Sequence, residues 1–123
     1  IKKLDVQTPG IHHPIKNLSG GNIQKVLLGR ELDSNPELLI TAYPVRGLDI
    51  NTCLRIYDIL NEEKKKGVAI LYIGEDLDSL LGLCDRIMVI SNGEITGIVD
   101  ARKATKEQIG AMMLGKKEEE YAV

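Results

Sequence analysis

A serine and two adjacent glycines, Ser19, Gly20 and Gly21, stand directly before a stretch with helical periodicity. The positions that recur there at three- and four-residue spacing are Ile23, Val26, Leu27 and Arg30. Ser19 has the side chain of a helix N-cap, and exposed N–H groups at a helix start carry partial positive charge. Glycine also lets an anion approach the backbone. The segment therefore predicts a phosphate cradle or, because Ser-Gly-Gly is a common turn, a simple helix entry.

The middle of the chain alternates strand-like and helix-like segments, which predicts an α/β fold with parallel strands. Residues 38–40 form a short apolar run that predicts a buried strand, and the continuous apolar run 68–73 predicts a strand covered on both faces. Between them, Asn51 is expected to cap a helix that ends at Gly67. The residues expected to form one face of that helix are Cys53, Ile56, Tyr57 and Leu60.

The last third of the chain predicts a β-hairpin between two helices. Strands are expected at 86–90 and 94–99, around the turn signal Ser91-Asn92-Gly93. A short helix should precede them, bearing Leu77, Leu80 and Leu81. Thr105 and Gln108 have capping-box spacing and should open a last helix with Ile109, Met112 and Met113 turned inward. Residues 116–123 are expected to be a charged tail.

Composition excludes several classes of function. The chain has 123 residues, which suits one domain, and a formal charge of -2, which provides no basic surface for nucleic acid. No apolar run approaches the roughly 20 residues of a membrane span, and no signal peptide opens the sequence, so a soluble chain is expected. Cys53 and Cys84 lack metal-ligand spacing and are interpreted as buried free thiols. His12 and His13 are interpreted as part of a solvated loop.

Four motifs in order resemble the C-terminal half of an ABC-type ATPase cassette. Leu18-Ser-Gly-Gly-x-x-Gln24 is similar to the signature, 38–43 to the Walker B strand, 44–45 to the proline turn after it, and 46–49 to the D-loop. The resemblance runs from about residue 6 to residue 115 and implies a P-loop (RecA-like) NTPase fold. Asn22 and the sequence of 46–49 resemble the second cassette of double-cassette importers for simple sugars or nucleosides.

The family's phosphate-binding loop, Gly-x-x-x-x-Gly-Lys-Ser/Thr, has no match in the sequence. The resemblance places that loop and its strand upstream, so the chain is expected to be a fragment, with 1–115 as a partial ABC ATPase domain lacking the Walker A strand. The missing strand would lie between the strands at 68–73 and 86–90. Their unpaired edges predict that the fragment self-associates or closes the gap by rearranging.

Three positions depart from the family pattern at chemically important places. The resemblance puts Ala42 where the family has the aspartate that orders magnesium's water shell, and Tyr43 where it has the glutamate that acts as general base. Glu75 stands at the switch histidine, where a carboxylate would repel a γ-phosphate; alternatively, it is only an acid favoured at a helix start. The site built on this cassette's own P-loop is therefore expected to be inactive, with no intact catalytic residue and no metal ligand.

In the family, each ATP lies between the P-loop of one cassette and the signature of the other. The resemblance thus implies that Ser19, Gly20 and Gly21 contact the γ-phosphate of ATP held by a partner cassette. Asn22 or Gln24 would reach the ribose or order the loop, and Asp49 would link the two sites. The implied cofactors are ATP and magnesium, held largely by missing or partner residues. The resemblance thus implies nucleotide-contacting roles for Ser19, Gly20, Gly21, Asn22, Gln24 and Asp49.

Three functions remain open at this point. The first is the ATPase subunit of an importer for sugars or nucleosides. It would sit on the cytoplasmic face of the plasma membrane with a second cassette, membrane permease subunits and a solute-binding protein. The second is a soluble ABC ATPase of DNA repair or translation, which would more often show basic patches or coiled-coil insertions. The third is a non-catalytic scaffold or regulator, suggested by Ala42 and Tyr43. The fragment alone is expected to be inactive.

Overall fold

The computed structural model describes residues 4–117. They form an α/β fold in two compact units, and the chain passes from the first to the second between Gly74 and Glu75. The first unit contains a short 3-10 turn (Ile15–Asn17), α1 (Gly20–Asp33), β1 (Leu38–Ala42), α2 (Ile50–Lys65) and β2 (Ala69–Ile73). The second contains α3 (Leu77–Leu83), β3 (Arg86–Ser91), β4 (Glu94–Asp100) and α4 (Lys106–Met113). The predicted fold class and the order of its elements are confirmed; most of the predicted tail, 118–123, lies outside the described residues.

The first unit is a β-α-β arrangement. β1 and β2 pair in parallel, in register from Leu38 opposite Ala69 to Ala42 opposite Ile73. Parallel strands require a crossover connection, and α2 provides it. α2 packs one face toward the sheet, where Tyr57 makes an edge contact with Tyr72 of β2. Its buried residues are Ile56, Ile59, Leu60 and Glu63.

The prediction that β1 and β2 are fully buried is wrong. In β1 only Leu39 is buried, whereas Leu38 and Ile40 are 55% and 60% exposed. In β2, Leu71 is 45% exposed, although its neighbour Tyr72 contacts α2. Successive side chains of a strand point to opposite faces, and residues paired in register share a face. α2 therefore covers one side of the sheet, and the described part of the chain leaves the other side open.

Helix α1 also buries a different face from the one that its apolar periodicity predicts. Ile23 and Leu27 are exposed, and the buried residue is Lys25, whose Nζ donates to the backbone oxygen of Asp5 at 2.6 Å. Gly29 faces the N-terminal segment so closely that a Cβ there would lie 2.1 Å from Leu4 Cδ1. The periodicity thus predicts the helix correctly but not its buried side, because the segment before the helix packs across another face.

The N-cap of α2 is Asp49, and the prediction that Asn51 caps this helix is wrong. Asp49 has extended backbone angles, and its carboxylate accepts from the N–H of Thr52 at 3.0 Å and from the hydroxyl of Thr52 at 2.7 Å. The helix begins at Ile50, so Asn51 already lies inside the first turn. The predicted C-terminal stop is confirmed: Gly67 follows the last turn with φ of +98°, which glycine adopts without steric cost.

The second unit is a β-hairpin packed on α4. β3 and β4 are antiparallel and turn through Asn92 and Gly93, both with positive φ, so the predicted hairpin is confirmed. Thr105 caps α4 by accepting from the N–H of Gln108 at 3.2 Å. Ile109 and Met112 are buried as expected, but the inward placement of Met113 is wrong, since its side chain is 45% exposed. Adjacent helical residues point about 100° apart, so Met112 takes the inward position.

The two strand pairs form separate sheets, and within residues 4–117 β2 does not pair with β3. Closing the predicted gap by pairing those strands is therefore not what the described chain does. Self-association stays a prediction. Cys53 and Cys84 form no disulfide, as expected, but both are half-buried rather than fully buried.

Two aspartates at helix starts make stability depend on pH. Hydrogen bonds, first from the hydroxyls and then from the N–H groups of Thr52 and Ser79, hold the pKa values of Asp49 and Asp76 below their ordinary range. Their contribution is complete above the ordinary carboxyl pKa of about 3.9 and is lost as pH falls through the lower folded values. We expect the unfolding temperature to decrease when the pH is lowered below about 4. The decrease should be smaller in Asp49→Asn, because asparagine keeps a capping oxygen but does not titrate. Melting curves followed by circular dichroism across pH test this; an equal fall in both proteins contradicts it.

Candidate functional site

The signature segment opens α1 as predicted, with Ser19 as the N-cap. Ser19 Oγ accepts from the Asn22 N–H at 3.4 Å and from Asn22 Nδ2 at 2.9 Å. Both contacts use the oxygen as an acceptor, and the side chain is exposed. A serine hydroxyl also carries one donor hydrogen. That hydrogen remains able to donate outward to an anion.

The two glycines differ in what they permit. A Cβ on Gly20 would make only an ordinary contact, 3.9 Å from Leu48 Cδ2. A Cβ on Gly21 would lie 2.9 Å from Thr52 Cγ2, so the absence of a side chain there lets α1 approach the first turn of α2. The N–H groups of Gly20 and Gly21 lie in the first turn of α1 and have no acceptor within the helix. Together with the Ser19 hydroxyl, they present donors at the positive end of a helix.

Gln24 connects α1 to the turn after β1. Its Nε2 donates to the backbone oxygen of buried Pro44 at 3.0 Å. Of the two roles carried over by resemblance, this contact fits ordering of the loop. Asp49 is exposed at the start of α2, with its carboxylate already accepting two hydrogen bonds from Thr52. Gln24 thus joins the signature helix to the proline turn, and Thr52 lies next to both Gly21 of the signature and Asp49 of the D-loop.

Two residues of this cluster are missed by the sequence reasoning. The Thr52 side chain packs against Gly21, and its hydroxyl donates to Asp49. The Asp-x-x-Thr spacing, which places Thr52 at the third helical position, is a sequence pattern that predicts this contact. Gln7 donates its backbone N–H to Asn22 Oδ1 at 2.9 Å. That contact joins residues fifteen apart in the chain and leaves no local pattern by which it could be found.

The structure places Ala42 and Tyr43 at the carboxyl end of the parallel pair, the end at which open α/β sheets bind ligands. Tyr43 has a φ of +50°, its N–H donates to the Ile73 oxygen at 2.8 Å, and the Arg46 guanidinium lies 4.5 Å from its ring centroid. This end of β1 therefore presents a methyl group, a phenol and a cation. It supplies no carboxylate to orient a metal-bound water or to accept a proton.

Glu75 begins the second unit and is exposed. Gly74 immediately precedes it. A Cβ on Gly74 would lie 2.7 Å from the Tyr72 ring, so the backbone passes close to that ring as it leaves β2. Across residues 4–117, no three His, Cys, Asp or Glu side chains are grouped to hold a metal ion. The donors around Ser19 fit a phosphate, whereas Ala42 and Tyr43 do not fit the magnesium-ordering role.

No family model matches the chain. Among solved structures, it is similar to an ATP-binding cassette determined as a dimer in a post-hydrolysis state bound to ADP and phosphate, with a TM-score of 0.73 and 24% identity over 84% of this chain and 44% of that one. A second solved structure, described as an ATP-binding cassette of an ABC transporter, has a TM-score of 0.73 and 27% identity. The match covers 84% of this chain and 41% of that one. The fold is that of part of an ABC ATPase cassette. The predicted P-loop NTPase class is thereby confirmed.

Sequence relatives agree with this fold. The chain is 46% identical over 115 residues to the ribose import ATP-binding protein RbsA of Clostridium perfringens, covering 94% of the chain and 23% of the relative. It is 44% identical over 109 residues to the galactose/methyl galactoside import ATP-binding protein MglA of Escherichia coli, covering 89% and 22%. The resemblance to ABC import ATPases is confirmed. The chain spans about a quarter of the length of these relatives.

The lengths and compositions of the described helices bear on whether any of them could span a membrane. None in residues 4–117 is both long and apolar enough to cross a bilayer. The longest, α2, has 16 residues and carries several charged side chains.

Proposed function

We propose that this cassette segment belongs to the ATP-binding subunit of a sugar-class ABC importer, and that its signature acts on ATP held by a partner cassette. One observation carries the proposal: Ser19 and the first-turn N–H groups form an intact donor set, while Ala42 and Tyr43 stand at the end of β1 where the family has the carboxylates of the cassette's own site. The names of the relatives, ribose and galactose import ATP-binding proteins, support the importer class.

In this proposal the chain's own residues bind and orient the phosphate. The Ser19 hydroxyl and the N–H groups of Gly20 and Gly21 donate to the γ-phosphate, where negative charge is concentrated and where the helix dipole is favourable. Gln24 and Thr52 hold the start of α1 against the proline turn and α2. Donors fixed before ATP arrives need little reorganisation when the two cassettes close on it.

The cassette's own nucleotide site is proposed to bind ATP without turning it over. A phenol is a much poorer general base than the family's carboxylate, and alanine has no side-chain oxygen to order a magnesium-bound water. Glu75 adds a negative charge where the family has a histidine that donates to phosphate. ATP and magnesium bound at the partner's site would supply the reactive phosphate and neutralise its charge.

The partners in this proposal are a second cassette, membrane permease subunits and a solute-binding protein, with the subunit on the cytoplasmic face of the membrane. Ala42 and Tyr43 also favour a second candidate, a non-catalytic regulatory cassette. The two differ in one respect: an importer requires a partner cassette with intact carboxylates, whereas a regulator does not. A soluble ABC ATPase acting on nucleic acid is disfavoured by the net charge of -2.

The test is ATP hydrolysis by the whole protein reconstituted with its permease in proteoliposomes. We expect phosphate release to rise several-fold when a solute-binding protein loaded with ribose or galactose is added. The empty binding protein and a loaded non-cognate one are the controls. Hydrolysis that does not respond to any of them contradicts the importer proposal, and the absence of hydrolysis under every condition favours the regulatory cassette.

A further inference from the structure

Asn22 makes a side-chain bridge that the helix does not need. Its Oδ1 accepts the backbone N–H of Gln7 at 2.9 Å, and its Nδ2 donates to Ser19 Oγ at 2.9 Å. The backbone N–H of Asn22 also reaches Ser19 Oγ, at 3.4 Å, which is the ordinary N-cap contact. The side-chain bond is the shorter of the two, so the amide of Asn22 makes the closer contact with the Ser19 oxygen.

The chemistry of Gln7 fixes which way this amide points. A backbone N–H only donates, so the group facing it must be Oδ1, and the group facing Ser19 is then the NH2. An NH2 group cannot accept a hydrogen bond from the serine. Gln7 therefore determines, through Asn22, that Ser19 Oγ is an acceptor on its inner side.

We propose that Asn22 is a positioning residue that aims the Ser19 hydroxyl hydrogen at the γ-phosphate. The inference rests on the proposed function of the signature. With Nδ2 in place, the oxygen is held from inside and the hydrogen is left to point outward, toward the exposed side of the helix start. Without Nδ2, the hydroxyl rotates among several staggered positions, only some of which present the hydrogen to a ligand.

The contacts separate this role from a purely structural one. A structural role depends on tying Gln7 to α1, which requires only the Oδ1 acceptor. The positioning role depends on the Nδ2 donor. Asn22→Asp keeps an acceptor for Gln7 and removes the donor. It therefore preserves the hydrogen bond to Gln7 but no longer orients the Ser19 hydroxyl. Asn22→Ala removes both.

A double-mutant cycle on the whole protein in its transporter complex tests the inference, with kcat and KM for ATP as readouts. We expect Asn22→Ala to lower kcat roughly threefold to tenfold, the effect of one hydrogen bond, with a smaller change in KM. Asn22→Asp should lower kcat at least as much while keeping the unfolding temperature. In a Ser19→Ala background, Asn22→Ala should have no further effect on kcat, because it acts through the missing hydroxyl. Asn61→Ala, on α2 and outside the cluster, is the matched control.

The possible results distinguish failure of the positioning role from failure of the proposed function. If Ser19→Ala lowers kcat and Asn22→Ala lowers it further by the same factor in both backgrounds, the positioning role is overturned and the proposed function stands. If Asn22→Asp has the kcat of the unmodified protein, the positioning role is also overturned. If Ser19→Ala leaves kcat unchanged, the proposed function itself fails, and the inference fails with it.

Discussion

Replacing Ser19 with glutamate is expected to abolish ATP hydrolysis by the whole protein. The substitution removes the outward hydroxyl donor and puts a carboxylate where the γ-phosphate should approach the start of α1. Loss of one such donor alone typically costs 10²–10³-fold in rate, and repulsion between the carboxylate and the triphosphate adds to it. The measurement is phosphate release at saturating ATP in the presence of the permease and a loaded binding protein.

The same substitution at the other end of α1 provides the control. Ser34 is the exposed C-cap of the helix, and its hydroxyl donates to the Glu31 oxygen at 2.6 Å. Ser34→Glu should hydrolyse ATP at close to the original rate. Both variants should be folded, as judged by circular dichroism. Hydrolysis by Ser19→Glu at the rate of Ser34→Glu would show that the signature is not part of a working site.

The isolated 123-residue chain is expected to self-associate through the open face of its first unit. One side of the parallel pair exposes a contiguous apolar surface formed by Leu38, Ile40, Ala42, Ala69, Leu71 and Ile73. Burying an aliphatic side chain of this size stabilises a complex by about 1.5–3 kcal/mol. Several such side chains on one face favour association over a hydrated surface. The edges of β2 and β3 offer a second route through backbone pairing.

A charge pair within that face tests this prediction without changing the net charge. Ile40 and Leu71 are register partners, so Ile40→Glu with Leu71→Lys places opposite charges side by side at the centre of the face. Sedimentation velocity at several concentrations should show oligomers for the unmodified chain and a shift toward monomer for this variant. Ile11→Glu with Leu54→Lys, at two exposed apolar positions outside the face, should sediment like the original. A monomeric unmodified chain at every concentration would contradict the prediction.

Local chemistry explains which parts of the fold are predictable from the sequence. Ser19 acts through its side-chain cap, and Gly67 and the Asn92-Gly93 turn act through their positive φ. The positions of α1, the end of α2 and the hairpin therefore follow from nearby residues. The face that an element buries depends instead on what packs against it. Lys25 is buried because the segment containing Asp5 crosses α1 there, and no periodicity within the helix encodes that crossing.

The same distinction applies to the candidate site. The donors at Ser19 and the missing carboxylates at Ala42 and Tyr43 are visible in the sequence because each depends on residue type at a motif position. The contacts that hold the donors in place are not visible there. Gln24 reaches a backbone oxygen twenty residues away, and Asn22 meets the backbone of a residue fifteen positions earlier. Both contacts require knowledge of how the chain folds back on itself.

The central claim is that this signature contacts ATP bound by a partner cassette, while the cassette's own site does not hydrolyse ATP. The most direct test compares steady-state hydrolysis after serine-to-glutamate substitution in each of the two signatures of the assembled transporter, one at a time. We predict that Ser19→Glu removes hydrolysis, because it disables the site with intact carboxylates. The same change in the partner's signature should leave most of it, because that signature faces the site with Ala42 and Tyr43. Equal losses from the two substitutions, or a loss only from the partner's, would contradict the account.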